Sequence, residues 1–237
     1  MGKKNIKGIS TIVLHTANHE NDNFSHTTPI YATSTFTFSS ADEGMARFKG
    51  DDKTRLYTRW GNPTFNVAEK TIEALEARGL TNESGAPLEV KALLHSSGQA
   101  AISTLFFSNL SAGDCLISHY SLYGGSQELM QKVLNEAGVK IILIDIHNED
   151  LLLETIKGNP TTKLIHLETP ANPTLQCVDI EAVCKIARAH GIKVSVDNTV
   201  ATPYLQQPFA LGADYVFHSA TKFLNGHGSA LNGVLVG

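Results

Sequence analysis

From about residue 90 to its last residue the chain alternates short apolar runs with longer amphipathic stretches, and this alternation restricts the fold more than any other feature. Strand-like runs occur near 90–95, 115–118, 139–145, 163–168, 192–197, 214–218 and 231–236. Helical stretches occur near 100–110, 126–137, 149–157 and 179–190. In the last of these, Asp179 can cap, and Ile180, Val183, Cys184 and Ala187 fall on one helical face. A helix between two strands returns the chain to the same end of the sheet, so the strands run parallel with right-handed crossovers. The expected architecture is α/β: a three-layer, mostly parallel seven-stranded sheet with helices on both faces. The connection 219–230 holds Gly226 and Gly228 and has no helical periodicity, so the last strand is expected antiparallel to 214–218.

The first sixty residues read differently. Stretches such as TTPIYATSTFTFSS (27–40) are rich in Thr, Ser and aromatics and lack helical periodicity. Residues 1–61 are therefore expected to form an extended arm lying on a neighbouring subunit. At Asn62-Pro63 the pattern changes: Asn62 can cap, and Pro63 suits the first helical position because its missing N–H has no partner there anyway. Phe65, Ala68, Ile72 and Leu75 then share a helical face, Gly79 stops the helix, and 80–88 form a polar loop. Residues 62–237 are expected to form the main domain.

Composition excludes several classes. With 19 basic and 23 acidic side chains in 237 residues, the net charge of -4 offers no electrostatic footprint for nucleic acid. No apolar run approaches the roughly 20 residues needed to span a bilayer. The opening MGKKNIKGIS has no apolar signal core, and Cys115, Cys177 and Cys184 form no C-x-x-C. The three are expected to be reduced core thiols of a cytoplasmic protein. His218 and His227 lack the spacing of a metal site, so no metal is expected.

Three segments carry chemistry. Ser96-Ser97-Gly98-Gln99 follows the first strand and opens an apolar helix, a geometry whose unpaired N–H groups suit a phosphate, although an ordinary turn reads the same way. Neither the dinucleotide glycine fingerprint nor a P-loop occurs. Asp197 ends the run IKVSVD, where open α/β sheets place ligands and where an Asp also commonly caps a turn. Lys222 follows a strand, with Ser219 and Thr221 three and one places before it. A lysine beside hydroxyls at a sheet edge is what a Schiff-base site next to a phosphate needs.

Taken together, YTRWGNPT (57–64), SSGQAA (96–101), LYGGS (122–126), ETPANPTL (168–175), DNT (197–199) and SATKFLNGHG (219–228) make the chain resemble the pyridoxal-phosphate-dependent enzymes of cysteine and methionine metabolism. The resemblance runs from about Thr28 to the last residue and implies the large domain of the aspartate aminotransferase-like fold (fold type I). It implies pyridoxal 5'-phosphate bound covalently through Lys222, which also shuttles protons, and Asp197 paired with the pyridine nitrogen. Backbone N–H groups of the Ser97-Gly98-Gln99 segment and the hydroxyls of Ser219 and Thr221 are implied phosphate donors. Tyr57 and Arg59 match residues lent to a neighbouring subunit's phosphate. Tyr123 matches the tyrosine that stacks on the ring and assists the leaving group, and Asn172 a residue near the cofactor's 3′ oxygen.

The implied function is a C–S lyase of sulfur amino acids, acting by α-deprotonation and γ-elimination as methionine γ-lyase or cystathionine γ-lyase does. The alternatives are γ-replacement, as in O-acetylhomoserine sulfhydrylase or cystathionine γ-synthase, and an incomplete fragment that keeps cofactor or subunit surfaces. Gly125 stands where some methionine γ-lyases carry cysteine, and Gln99 where many relatives have methionine. The resemblance further implies an amino-acid substrate, a homotetramer built as a dimer of dimers with shared sites, and a C-terminal small domain with a carboxylate-binding arginine that has no counterpart after Lys222.

Overall fold

The computed structural model of the chain describes residues 8–17, 25–50 and 55–237. The backbone divides into two compact units between Gly79 and Leu80. The first contains α1 (Ile9–His15), α2 (Ala41–Lys49) and α3 (Pro63–Glu76). The stretch expected to be extended therefore holds two helices.

Capping, rather than an apolar stripe, explains α2. Ser40 Oγ accepts the Glu43 N–H at 3.1 Å, and the Glu43 carboxylate accepts the Ser39 N–H at 2.6 Å. Arg47 pairs with Glu43 one turn earlier, and Gly50 ends the helix in the left-handed region at φ 106°. Helix α3 starts as expected, with Asn62 Oδ1 accepting the Thr64 N–H at 2.9 Å and Pro63 in the first turn. The Asn62 amide also donates to the Tyr31 carbonyl at 3.0 Å, which ties residue 31 to the start of α3.

The second unit is the expected α/β sheet. Its strands are β1 (Ala92–His95), β2 (Cys115–His119), β3 (Lys140–Ile144), β4 (Thr162–Glu168), β5 (Lys193–Asp197), β6 (Tyr215–His218) and β7 (Gly233–Val236). They form one sheet in the order β1-β7-β6-β5-β4-β2-β3. All neighbours from β3 to β6 pair in parallel, while β7 runs antiparallel to both β6 and β1. The glycine-containing connection does reverse the chain.

Alternating side chains bury both faces. On one face Cys115, Ile117, Ile165, Leu167, Val194 and Val196 pack against α6 (Glu149–Gly158) and α7 (Ile180–Ala189). On the other, Leu116, Leu164 and Phe217 pack against α4 (Gly98–Asn109) and the helix that begins as α5 (Gly124–Glu128) and continues through a π turn, Leu129–Leu134. The short α8 (Thr202–Leu205) follows β5. Cys115 and Cys184 are buried as expected, but Cys177 is exposed, because it lies in the loop after β4 rather than in the sheet or a helix.

This order creates a switch point. Strands β2 and β4 are neighbours, yet the helix after β2 packs on one face and α7, after β4, on the other. At such a reversal open α/β sheets bind ligands in a crevice beyond the strand ends; here the two loops are also joined directly, with Ser121 Oγ 2.9 Å from Thr174 Oγ1. The antiparallel β7 acts at the same end of the sheet. Gly233 is buried so closely against the turn into α4 that a Cβ there would lie 2.1 Å from the Ser97 carbonyl oxygen and 2.8 Å from the Gly98 nitrogen. Both are backbone atoms and cannot swing aside. Gly233→Ala should therefore destabilise the chain by about 1–3 kcal/mol in denaturant unfolding. Unchanged stability would show that the 97–98 peptide yields.

Candidate active site

The site is assembled from the C-terminal ends of the parallel strands. Asp197, the last residue of β5, is 7% exposed. One of its oxygens accepts the Thr199 N–H at 3.0 Å, and Thr199 Oγ1 in turn accepts the Ser219 N–H at 2.8 Å. Ser219 packs against the start of α4: a Cβ on Gly98 would lie 2.9 Å from both Ser219 Cβ and Oγ. A single line of contacts thus joins the buried carboxylate to the N-terminus of a 12-residue helix. Burial pushes the Asp197 carboxyl up, while its bonds from Thr199 and the nearby His218 oppose the rise.

Each residue singled out from the sequence has a definite place. Ser97 Oγ caps α4 by accepting the Ala100 N–H at 3.1 Å. The N–H groups of Gly98 and Gln99 belong to the first turn, where helices lack internal partners. Thr221 is committed to the return strand: its hydroxyl donates to the Asn232 carbonyl at 3.0 Å and accepts the Asn232 N–H at 3.0 Å. Among the described residues, Ser219 Oγ has no such commitment. Lys222 is exposed, one turn after Ser219, whose carbonyl accepts its N–H at 3.1 Å.

Tyr123, half exposed, stands at the start of α5, and its ring and the Gln99 amide flank Gly125. A Cβ at Gly125 would lie 2.6 Å from Gln99 Nε2 and 2.7 Å from Tyr123 Cε1. Asn172 is exposed in the loop after β4. Tyr57 and Arg59 belong to the first unit, where the Arg59 guanidinium lies 5.2 Å from the Tyr57 ring centroid and 5.7 Å from that of Trp60.

Two residues stand inside the quoted motifs, but the sequence does not reveal their tasks. Thr199 links Asp197 to Ser219, and its place two residues after the carboxylate was its only signal. Glu168, the last residue of β4, lies beside Asp197 in register and is 4% exposed. Its oxygens accept the Tyr123 N–H at 2.7 Å and the Asn172 N–H at 2.8 Å.

Residues 10–237 match the family described as Cys/Met metabolism PLP-dependent enzymes. The chain belongs to that family. It is 42% identical over 230 residues to the L-methionine gamma-lyase of Fusobacterium nucleatum, covering 97% of this chain and 55% of that protein. A putative O-acetylhomoserine (thiol)-lyase of Campylobacter jejuni, whose structure holds a pyridoxyl-lysine phosphate, superposes with a TM-score of 0.85 at 33% identity over 97% of this chain and 54% of its own. The cystathionine gamma-lyase of Lactobacillus plantarum, solved with L-serine, gives 0.82 at 35% identity over 97% of this chain and 55% of its own. The chain spans about half the length of these relatives.

The residues present fit the family's cofactor. The lack of a side chain at Gly98 lets Ser219 pack against the first turn of α4, which brings a hydroxyl residue next to a helix N-terminus of the kind that suits a phosphate. Asp197 is a buried carboxyl group of the kind a protonated ring nitrogen requires, and Lys222 carries an exposed amine. One other cluster could suggest a ligand: His119, Asp145 and His147 bring potential metal-ligating atoms within 4.8 Å of one another. Those atoms are engaged within the protein. His119 Nδ1 accepts the Ile146 N–H, while His147 bonds Asp145 through Nδ1 and the Cys177 carbonyl through Nε2.

Buried carboxylates at the strand ends predict how stability depends on pH in the cofactor-free chain. Burial, reinforced by Asp197, raises the Glu168 carboxyl from 4.5 to about 7, against the pull of its two amide donors. Between these values the folded chain holds a proton that the unfolded chain has released. Stability should therefore fall as pH rises through this window, with about 3 kcal/mol assigned to Glu168. Asp197 acts in the same direction at lower pH. Thermal unfolding from pH 4.5 to 8 should show this decline, and Glu168→Gln should flatten it; equal slopes would assign the effect elsewhere.

Proposed function

We propose that the protein acts as a pyridoxal-phosphate-dependent C–S lyase, opening the Cγ–S bond of methionine- or cystathionine-type amino acids by γ-elimination. The observation that carries this reading is the unbroken line from Gly98 through Ser219 and Thr199 to Asp197, with Lys222 one turn beyond Ser219. It provides a phosphate cradle, a ring-nitrogen partner and an amine in one run of structure. The 42% identity to an L-methionine gamma-lyase supports the choice of substrate class.

When bound, pyridoxal phosphate supplies an electron sink that lets a substrate Cα–H ionise. The work of this chain is to hold and protonate. Gly98 and Gln99 N–H groups and Ser219 Oγ bind the phosphate, aided by the positive end of α4, worth about 0.3–1 kcal/mol and ~2 where partly buried. The Asp197 carboxylate keeps the ring nitrogen protonated. Lys222 would hold the cofactor through Nζ, and the same Nζ, as a free amine, would take the α-proton. Tyr123 would offer the ring an aromatic face and the leaving sulfur a hydroxyl proton, so that the sulfur departs as a thiol, and Asn172 would lie near the cofactor's 3′ oxygen and the substrate carboxylate.

Tyr57 and Arg59 are further assigned to the phosphate of a neighbouring subunit. That assignment requires a homo-oligomer with shared sites; a tetramer of paired dimers working in the cytoplasm is the form proposed from the family resemblance. No helix among the described residues is long and apolar enough to cross a membrane.

Borohydride reduction of protein loaded with pyridoxal phosphate should leave one cofactor-sized mass adduct on Lys222, and Lys222→Ala should abolish it. A chain without an adduct would refute the reading. With methionine or cystathionine the wild type should release a 2-oxo acid and ammonia, and Lys222→Ala should lower that rate about 10²–10⁴-fold. Turnover only with O-acetylhomoserine plus sulfide would assign replacement instead. Tyr123→Phe keeps the ring but loses the hydroxyl, so it should slow elimination; unchanged turnover would reduce Tyr123 to stacking.

A further inference from the structure

Glu168 makes two hydrogen bonds that no strand or helix requires. Its Oε2 accepts the Tyr123 N–H, 45 residues earlier in the sequence, and its Oε1 accepts the Asn172 N–H, 4 residues later. Tyr123 belongs to the loop after β2 and Asn172 to the loop after β4, so these bonds join the two loops at the switch point, beside the Ser121–Thr174 hydroxyl contact at 2.9 Å. The carboxylate is 4% exposed and sits in register beside Asp197. Two buried acids side by side are unfavourable for folding, and an apolar residue of similar volume would often serve stability better.

We infer that Glu168 is a positioning residue: by accepting one N–H from each loop, it sets the spacing of Tyr123 and Asn172 across the crevice that binds the cofactor. The inference rests on the proposed reading of that crevice. Side-chain chemistry explains why the residue is an acid. Two N–H donors arriving at separate oxygens need an acceptor at both ends, which glutamate provides. Glutamine has one acceptor and one donor end, so one amide would face an NH₂ group. Aspartate is one methylene shorter and cannot reach both loops from the same backbone position.

The groups around this carboxyl act together. Asp197 on β5 opposes its ionisation, and the two amides favour it. His218 on β6 acts on Asp197, and His166, two residues earlier on β4, is held neutral by burial. The clamp is strongest when the charge resides on Glu168, because ionised acceptors make the stronger hydrogen bonds.

The test compares wild type, Glu168→Gln and Glu168→Ala. Three quantities are measured: affinity for pyridoxal phosphate, the absorbance maximum of the bound cofactor, and hydrogen exchange in peptides covering 121–128 and 170–177. Both variants should bind the cofactor about tenfold more weakly, shift its absorbance, and exchange faster in both peptides, with β5 unchanged. Glutamine should be as damaging as alanine. A glutamine variant with wild-type affinity and exchange, or a change confined to one peptide, overturns the inference. A wild type that binds no pyridoxal phosphate refutes the proposed function, while the exchange comparison still decides the clamp. If the variants do not fold, the wild type decides: the Tyr123 and Asn172 amide resonances should follow one common titration, and separate titrations overturn the clamp.

Discussion

Strands β2 and β4 lie side by side, but their following helices pack on opposite faces of the sheet, and most of the functional geometry depends on this divergence. Two neighbouring parallel strands whose helices shared a face would close their loops over each other. Here the following helices go to opposite faces, and the polar ends of the strands lie at the point where such sheets bind ligands. Tyr123 and Asn172 stand on the two loops, Glu168 joins them, and Asp197 lies one strand away. The site is therefore a property of strand order before it is a property of any one residue.

The second organising constraint is close backbone approach at the start of α4. Gly233 on β7 and the Ser97–Gly98 peptide meet without room for a Cβ, and Gly98 meets Ser219 in the same way. These contacts press the return strand, the lysine-bearing loop and the helix N-terminus into one place. They also explain why the last strand must reverse direction: an antiparallel β7 brings Gly233 level with His95, next to that turn. The buried carboxyl groups of Glu168 and Asp197 at the neighbouring strand ends place acids where their charge is unfavourable for folding, a pattern common at functional sites.

Legibility in the sequence followed how local each cause was. Every strand of the sheet was visible from its apolar run, and α7 from its cap and i, i+3, i+4, i+7 pattern, because burial on two faces leaves a strong periodic mark. Helix α2 was missed, since it is set by Ser40, Glu43, Arg47 and Gly50 rather than by an apolar stripe. The exposure of Cys177 was missed because an apolar-looking residue in a polar loop carries no sign of its surroundings. Lys222, Asp197 and Gly98 were readable as members of a known motif set. Glu168 was quoted within such a motif, but its task was invisible, because its partners are two main-chain N–H groups that any sequence possesses.

The sequence alone determined the α/β class, the reversal of the last strand and the family, and it singled out Lys222, Asp197 and Gly98. Periodicity, capping and short-range motifs are encoded locally and survive in one dimension. The tertiary structure decided the rest: which strands are neighbours, that Thr221 is tied to Asn232 while Ser219 faces the helix start, that Gly233 must lack a side chain, and that one carboxylate joins two loops. Those outcomes depend on residues far apart in the chain meeting at distances of a few ångströms, and only the packed sheet specifies those distances.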